Sequence, residues 1–247
     1  KGLYVENNVD IIFTGDSFAE GYSVHSNESI SAVLRQLDFN AISIGKGGNG
    51  PLIELAALKE YAEPLKPKIV LWLYYVNDLD DLENEMLDKV HKKKMQTLIL
   101  RKYLNENDYS QNLIFRQKEI DGVLMSYIKH KWEKERGKGK EEKRVKEKII
   151  NLLKLTKLRK MINLKPTPTS TPTPIFRDIL QKSKQMVSGW DGKMYFVYLP
   201  DFERYLTGNE HKNRDFVMLT AKDLDIPIID IHKEVFHIHP DPLSLFP

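Results

Sequence analysis

Three short turns in this sequence carry residue types that can do acyl chemistry. The first is Thr14-Gly15-Asp16-Ser17-Phe18-Ala19-Glu20-Gly21. A serine set after a strand, in a glycine turn leading to a helix, projects its hydroxyl from the top of a sheet. The helix end beyond it offers free N–H groups suited to a developing negative charge. A serine nucleophile needs that placement. The same residues also read as a plain turn in which Ser17 caps a helix. The second turn, Gly45-Lys46-Gly47-Gly48-Asn49-Gly50-Pro51, exposes bare main chain. Such main chain lets an N–H approach a reacting oxygen, or simply makes a pliable strand-to-helix loop. No Gly-Lys-Ser/Thr follows, so it is not a Walker loop. In the third turn, Val76-Asn77-Asp78, the Asn77 amide could donate to an oxyanion or cap a polar turn.

Each turn follows a stretch that reads as a buried strand. Asp10 to Thr14 is a short apolar run stopped by Gly15, and Asn40 to Ile44 is a second. Lys68 to Tyr75, after Pro67, is the most apolar strand of the chain. Ser29 to Leu37 and Leu52 to Leu65 show helical spacing between them. Alternating strands and helices predict a parallel sheet with helices on its faces. Sites in such sheets form at the carboxyl ends of the strands. The pattern resumes with a strand over Lys193 to Pro200, a helix over Arg214 to Leu224 and a last strand over Ile226 to Ile231. The early Pro227 predicts an edge position or a strand start for that last one.

A serine, a glycine-rich loop and an asparagine at three consecutive strand ends, in that order, resemble the first three blocks of the GDSL/SGNH hydrolase family. The resemblance covers Asp10 to Asp81 well and Lys193 to Pro247 loosely. It implies an α/β domain of three layers, flavodoxin-like, with a long helical insertion. It implies Ser17 as nucleophile and an oxyanion hole made of the Ser17 N–H, the Gly48 N–H and the Asn77 amide. Asp16 and Asp78 would orient their loops. The family often has glycine two residues before the asparagine; here Tyr75 stands there and is expected to narrow the pocket. The implied activity is hydrolysis of O-acyl groups, acetyl in particular, from a carbohydrate or surface polysaccharide, through an acyl-serine and with no cofactor and no metal. The alternatives are an O-acyltransferase, or a non-catalytic glycan-binding module on the same fold.

The family's closing Asp-x-x-His block is where the resemblance stops. The only such spacing, Asp88 to His91, falls in a lysine-rich helical segment before the last strands. Asp230 and His232 read as scaffold, and His237 and His239 as a loop pair that could also bind metal. His239 to Pro247 resembles the loop that in long members of the family runs into the catalytic histidine. On that reading the histidine lies beyond Pro247, Asp241 is its expected partner, and extension through the next natural histidine restores esterase activity. The start at Lys1 and the stop at Pro247 both read as cut. An extracytoplasmic or periplasmic protein with its anchor upstream is therefore expected.

Bulk composition narrows the classes. The 247 residues include no cysteine, which excludes disulfides, thiolate catalysis and cysteine-ligated zinc. A net charge of only +3 argues against nucleic acid as partner; the partner that the resemblance implies is an acylated small molecule or glycan. Charge is uneven, however. Lys129 to Lys148 holds ten Lys/Arg against five Glu, and Ile149 to Leu164 mixes apolar and basic residues. These segments suit a membrane surface, a solvated helix or a cap over the site. A Pro/Thr linker follows from Lys165 to Pro174. The expected organisation is a first core part over 1–83, a helical basic insertion over 84–190 and a second core part over 191–247. Trp132 and Trp190 are read as core residues or sugar platforms.

Overall fold

A computed structural model describes residues 8–86, 113–136 and 174–246. The chain divides into two compact units, one of Lys1–Ile114 with Ser170–Pro247 and one of Phe115–Thr169. The Asp88–His91 pair, residues 137–148 of the basic run, the stretch over 149–164 and the linker as far as Thr173 lie outside the described residues.

In the first unit, strands β1 (Ile11–Thr14), β2 (Ala41–Ser43), β3 (Ile69–Tyr74), β4 (Lys193–Tyr198) and β5 (Ile228–Asp230) form one five-stranded sheet in the order β2-β1-β3-β4-β5. All four pairings are parallel. β5 is an edge strand and Pro227 stands just before it, where its missing N–H breaks no ladder within the strand. The helices are α1 (Ser17–Glu20), α2 (Ile30–Gln36), α3 (Pro51–Ala57), α4 (Asp78–Met86), α6 (Pro174–Ser188), α7 (Phe202–Thr207), α8 (Arg214–Asp223) and α9 (Ile231–Glu234); α5 (Gln117–Arg136) belongs to the second unit. α3 runs on into a π turn over Leu58–Ala62, a winding that helical spacing alone does not foretell.

Successive strand residues point to opposite faces, and each face has its own core. On one, Ile12, Val70, Trp72, Tyr74, Phe196 and Tyr198 pack with α3, α6 and α8. On the other, Ile11, Phe13, Ala41, Leu73 and Val197 pack with Ala19 of α1 and Leu34 of α2. Both faces are thus covered by helices, so the strands read as continuous apolar runs.

Part of the region expected as insertion packs in the sheet's core. α6 lies inside the expected span 84–190, yet it buries Phe176, Ile179, Leu180 and Val187 against the sheet. Its apolar residues at i, i+3 and i+4 make one buried stripe, and Pro174 begins it at a position that needs no N–H. Trp190 follows it and donates from Nε1 to the Pro67 carbonyl at 2.9 Å, joined to the core side of the sheet. In the second unit α5 has 20 residues, about 30 Å at 1.5 Å per residue. It exposes Leu124, Tyr127, Ile128 and Trp132 to solvent. Among the described residues no helix is long and apolar enough to cross a membrane.

Candidate active site

The chain leaves β1 toward β2 on one side and returns past it to β3 on the other. The switch point, where open parallel sheets bind ligands, therefore falls between the carboxyl ends of β1 and β3. Ser17 follows β1 and Asn77 follows β3. The Phe18 and Tyr75 rings meet above the two ends, their centroids 4.3 Å apart.

Gly15 makes the exit from β1. Its φ of +147° is open to glycine, and a Cβ there would stand 2.9 Å from the Leu73 carbonyl oxygen. Asp16, buried, then caps α1: its Oδ1 accepts from the Phe18 N–H at 2.9 Å. Its Oδ2 lies 3.4 Å from the Ser17 hydroxyl, which donates to it. Ser17 is the first residue of α1, so its own N–H has no partner within the helix.

The glycine-rich loop is fastened onto this turn. The Lys46 N–H donates to the Gly15 carbonyl at 3.1 Å. A Cβ on Gly45 would come within 2.3 Å of the Ala19 Cβ, so only glycine permits this approach. A Cβ on Gly47 would stand 3.5 Å from the Ser17 Cβ, an ordinary contact. The Gly47 N–H donates to Oε2 of Glu20 at 2.7 Å. Gly48, at φ +84°, has open space on its Cβ side. Among the described residues the N–H groups of Ser17 and Gly48 make no hydrogen bond.

Asn77 donates from Nδ2 to Oδ2 of Asp81 at 2.7 Å. An amide has two N–H bonds, so Asp81 fixes the group while a second proton stays uncommitted. Asp78, buried, accepts the Tyr75 N–H at 3.0 Å and closes the turn that carries Asn77. Beneath lies an acidic cluster that sequence spacing did not reveal. Glu54 is wholly buried, and burial, then the nearby Asp78 and Glu85, raise its pKa well above the ordinary value. Asp78 is raised too, first by burial and then by Asp16. Glu85 accepts the Gly50 and Leu52 N–H groups at 2.8 and 3.0 Å, holding the far end of the glycine loop, and burial lifts it to about 7.

Ser17 opens into a cavity of about 270 Å³. Phe18, Tyr22 and Val24 wall it on the α1 side, Ile30 comes from α2, and Leu199, Ile231, Phe236, Leu245 and Phe246 close the far side. Gly48 and Asn77 are not among its lining residues, and no histidine is. Tyr75 supports the Phe18 wall from behind. Phe246 is held by Phe202 and Phe236, ring centroids 5.3 and 5.0 Å away.

The remaining expected residues lie apart. Asp241 is exposed and bonds through its main chain, its carbonyl to Nδ1 of His239 at 2.8 Å and to the Ser244 hydroxyl at 2.7 Å. Asp230 and His232 belong to a polar network beyond β5. The Asp230 carboxylate accepts from Arg214 and, at 3.1 Å, from the His232 N–H. Nε2 of His232 meets Arg204 at 2.9 Å and its Nδ1 meets the Tyr205 hydroxyl at 2.8 Å. A guanidinium only donates, so Nε2 accepts and the ring proton sits on Nδ1, given to the Tyr205 oxygen. Burial and then Arg204 lower the His232 pKa, keeping the ring neutral. Among the described residues no group of three or more His, Asp or Glu is placed to hold a metal ion. No protein-family model matches the chain, and no curated protein matches it.

Proposed function

We propose that this protein is a serine ester hydrolase of the GDSL/SGNH type, with Ser17 as nucleophile. The observation that carries the reading is the fastening of the glycine loop, through Gly45 and the Lys46 N–H, onto the turn that holds Ser17 at the switch point of a parallel sheet. The strand order agrees with a flavodoxin-like sheet, which resemblance to the family implies. Other supports are the uncommitted N–H groups of Ser17 and Gly48 and an Asn77 amide oriented by Asp81.

The chemistry follows from these positions. The Ser17 oxygen attacks the ester carbonyl carbon while a general base takes its proton. The carbonyl π electrons move onto oxygen, and the N–H groups of Ser17 and Gly48 with the Asn77 amide stabilise that charge. Collapse expels the alcohol with the proton from the base and leaves an acyl-serine. Water, deprotonated by the same base, then releases the acid. Asp16 shapes the turn and does not react.

The test is fluorophosphonate labelling of full-length protein beside hydrolysis of a p-nitrophenyl ester. Ser17→Ala abolishes labelling and lowers kcat by a factor on the order of 10³ or more. Undiminished turnover in Ser17→Ala rejects the proposal.

A further inference from the structure

We propose that the cavity beside Ser17 receives the acyl part of the ester, and that this acyl is an unbranched hydrocarbon chain several carbons longer than acetyl. The inference rests on the hydrolase reading and replaces acetyl with a longer, apolar group. At about 270 Å³ the cavity is far larger than an acetyl methyl requires. It equals about nine water volumes of about 30 Å³ each.

Its walls fit a hydrocarbon and not a sugar. Val24, Ile30, Leu199, Ile231 and Leu245 present aliphatic carbon, and Phe18, Phe236 and Phe246 add ring surface. Apart from Ser17, the polar side chains in its lining are those of Tyr22, Ser23 and Glu28. A sugar buried there would leave most of its hydroxyls without partners, at a cost of order 1–3 kcal/mol each. An alkyl chain loses nothing of that kind and gains with each methylene removed from water. The wall is also built to keep its shape. Phe246 is wedged among Phe202, Tyr205 and Phe236, with centroids 5.0 to 5.7 Å away. Tyr75 backs Phe18 from the other side.

The experiment is a series of p-nitrophenyl esters from two to twelve acyl carbons, read as kcat/KM with full-length protein. Each methylene up to the length of the half-open cavity multiplies kcat/KM roughly two- to fourfold, so hexanoate exceeds acetate by about tenfold or more. Leu245→Trp and Ile30→Trp fill the cavity from opposite walls. Both positions are about two-fifths exposed, so melting temperature reports that the variants stay folded. Each variant moves the preferred acyl length down by two or more carbons. Ser17-dependent hydrolysis that is best with acetate, or flat with length, overturns the acyl inference and leaves the hydrolase reading standing. A long-chain preference that neither tryptophan shortens also overturns it, because the chain then lies elsewhere. If no ester is hydrolysed in a Ser17-dependent way, the hydrolase reading fails and this inference falls with it.

Discussion

The two faces of the sheet use the same five strands to opposite ends. The face under α3, α6 and α8 is thick and aromatic. Tyr74 lies 6.0 Å or less from the rings of Phe176, Phe196 and Tyr198, and Trp72 is wholly buried beside them. The face under α1 and α2 is thinner: Phe13 is its one buried ring among the described residues, Ala19, Ala41 and Val197 are small, and Leu34 is only half-buried. Large rings fill space, and small residues under short helices leave it. The cavity beside Ser17 opens on the thin side. The more aromatic core and the cavity beside Ser17 thus lie on opposite faces of the sheet.

The sharpest test of that contrast removes a ring from the thick face. Phe176→Ala lowers unfolding free energy by about 3–5 kcal/mol in urea melts, through lost burial and a cavity that cannot collapse. Leu34→Ala, on the thin face, costs about 1–2 kcal/mol. Equal losses would erase the distinction between the faces.

Next comes the seam where the glycine loop meets α1. Gly45→Ala forces a Cβ into Ala19 and the Gly15 carbonyl, destabilising by about 1–3 kcal/mol. Its effect on kcat/KM is larger, on the order of tenfold or more, because in the proposed mechanism the loop carries the Gly48 donor. Circular dichroism melts and ester turnover separate the two.

The buried acids under the thick face make stability depend on pH. Glu85 in the folded protein keeps its proton up to about 7, while the unfolded chain gives it up near 4.5. The native form therefore binds more protons in that interval. Stability is fully present below about 4.5 and is lost as pH rises through 7. Glu54 and Asp78, raised by the same burial, act in the same direction. Melting temperature should fall by several degrees between pH 5 and pH 7.5 (a step of about 1–2 kcal/mol), and Glu85→Gln should flatten the fall. A slope of opposite sign would mean that these carboxylates are ionised and paired.

The smallest effect belongs to Glu20. Glu20→Ala frees the Gly47 N–H at a cost of about 0.5–1.5 kcal/mol. Turnover falls a few-fold with little change in KM, since the loop is loosened and not removed. No change in kcat would place the donors elsewhere.

Local sequence was enough for much of this. Apolar runs bounded by Gly15, Pro67 and Pro200 located β1, β3 and β4, because a buried parallel strand has no solvent face to interrupt it. The serine, the glycines and the asparagine were legible as strand-end residues for the same reason. What sequence could not yield were features made by groups far apart along the chain. α6 has an amphipathic stripe, but only its packing against β4 and against α3, far earlier in the chain, decides that it belongs to the core. Glu20 meets Gly47 across 27 positions, and Glu85 meets Gly50 across 35. The cavity joins Ser17 to Phe246, from opposite ends of the described chain. Propensity and periodicity act over a turn or two of backbone, whereas burial, pKa and cavity shape are set by neighbours in space.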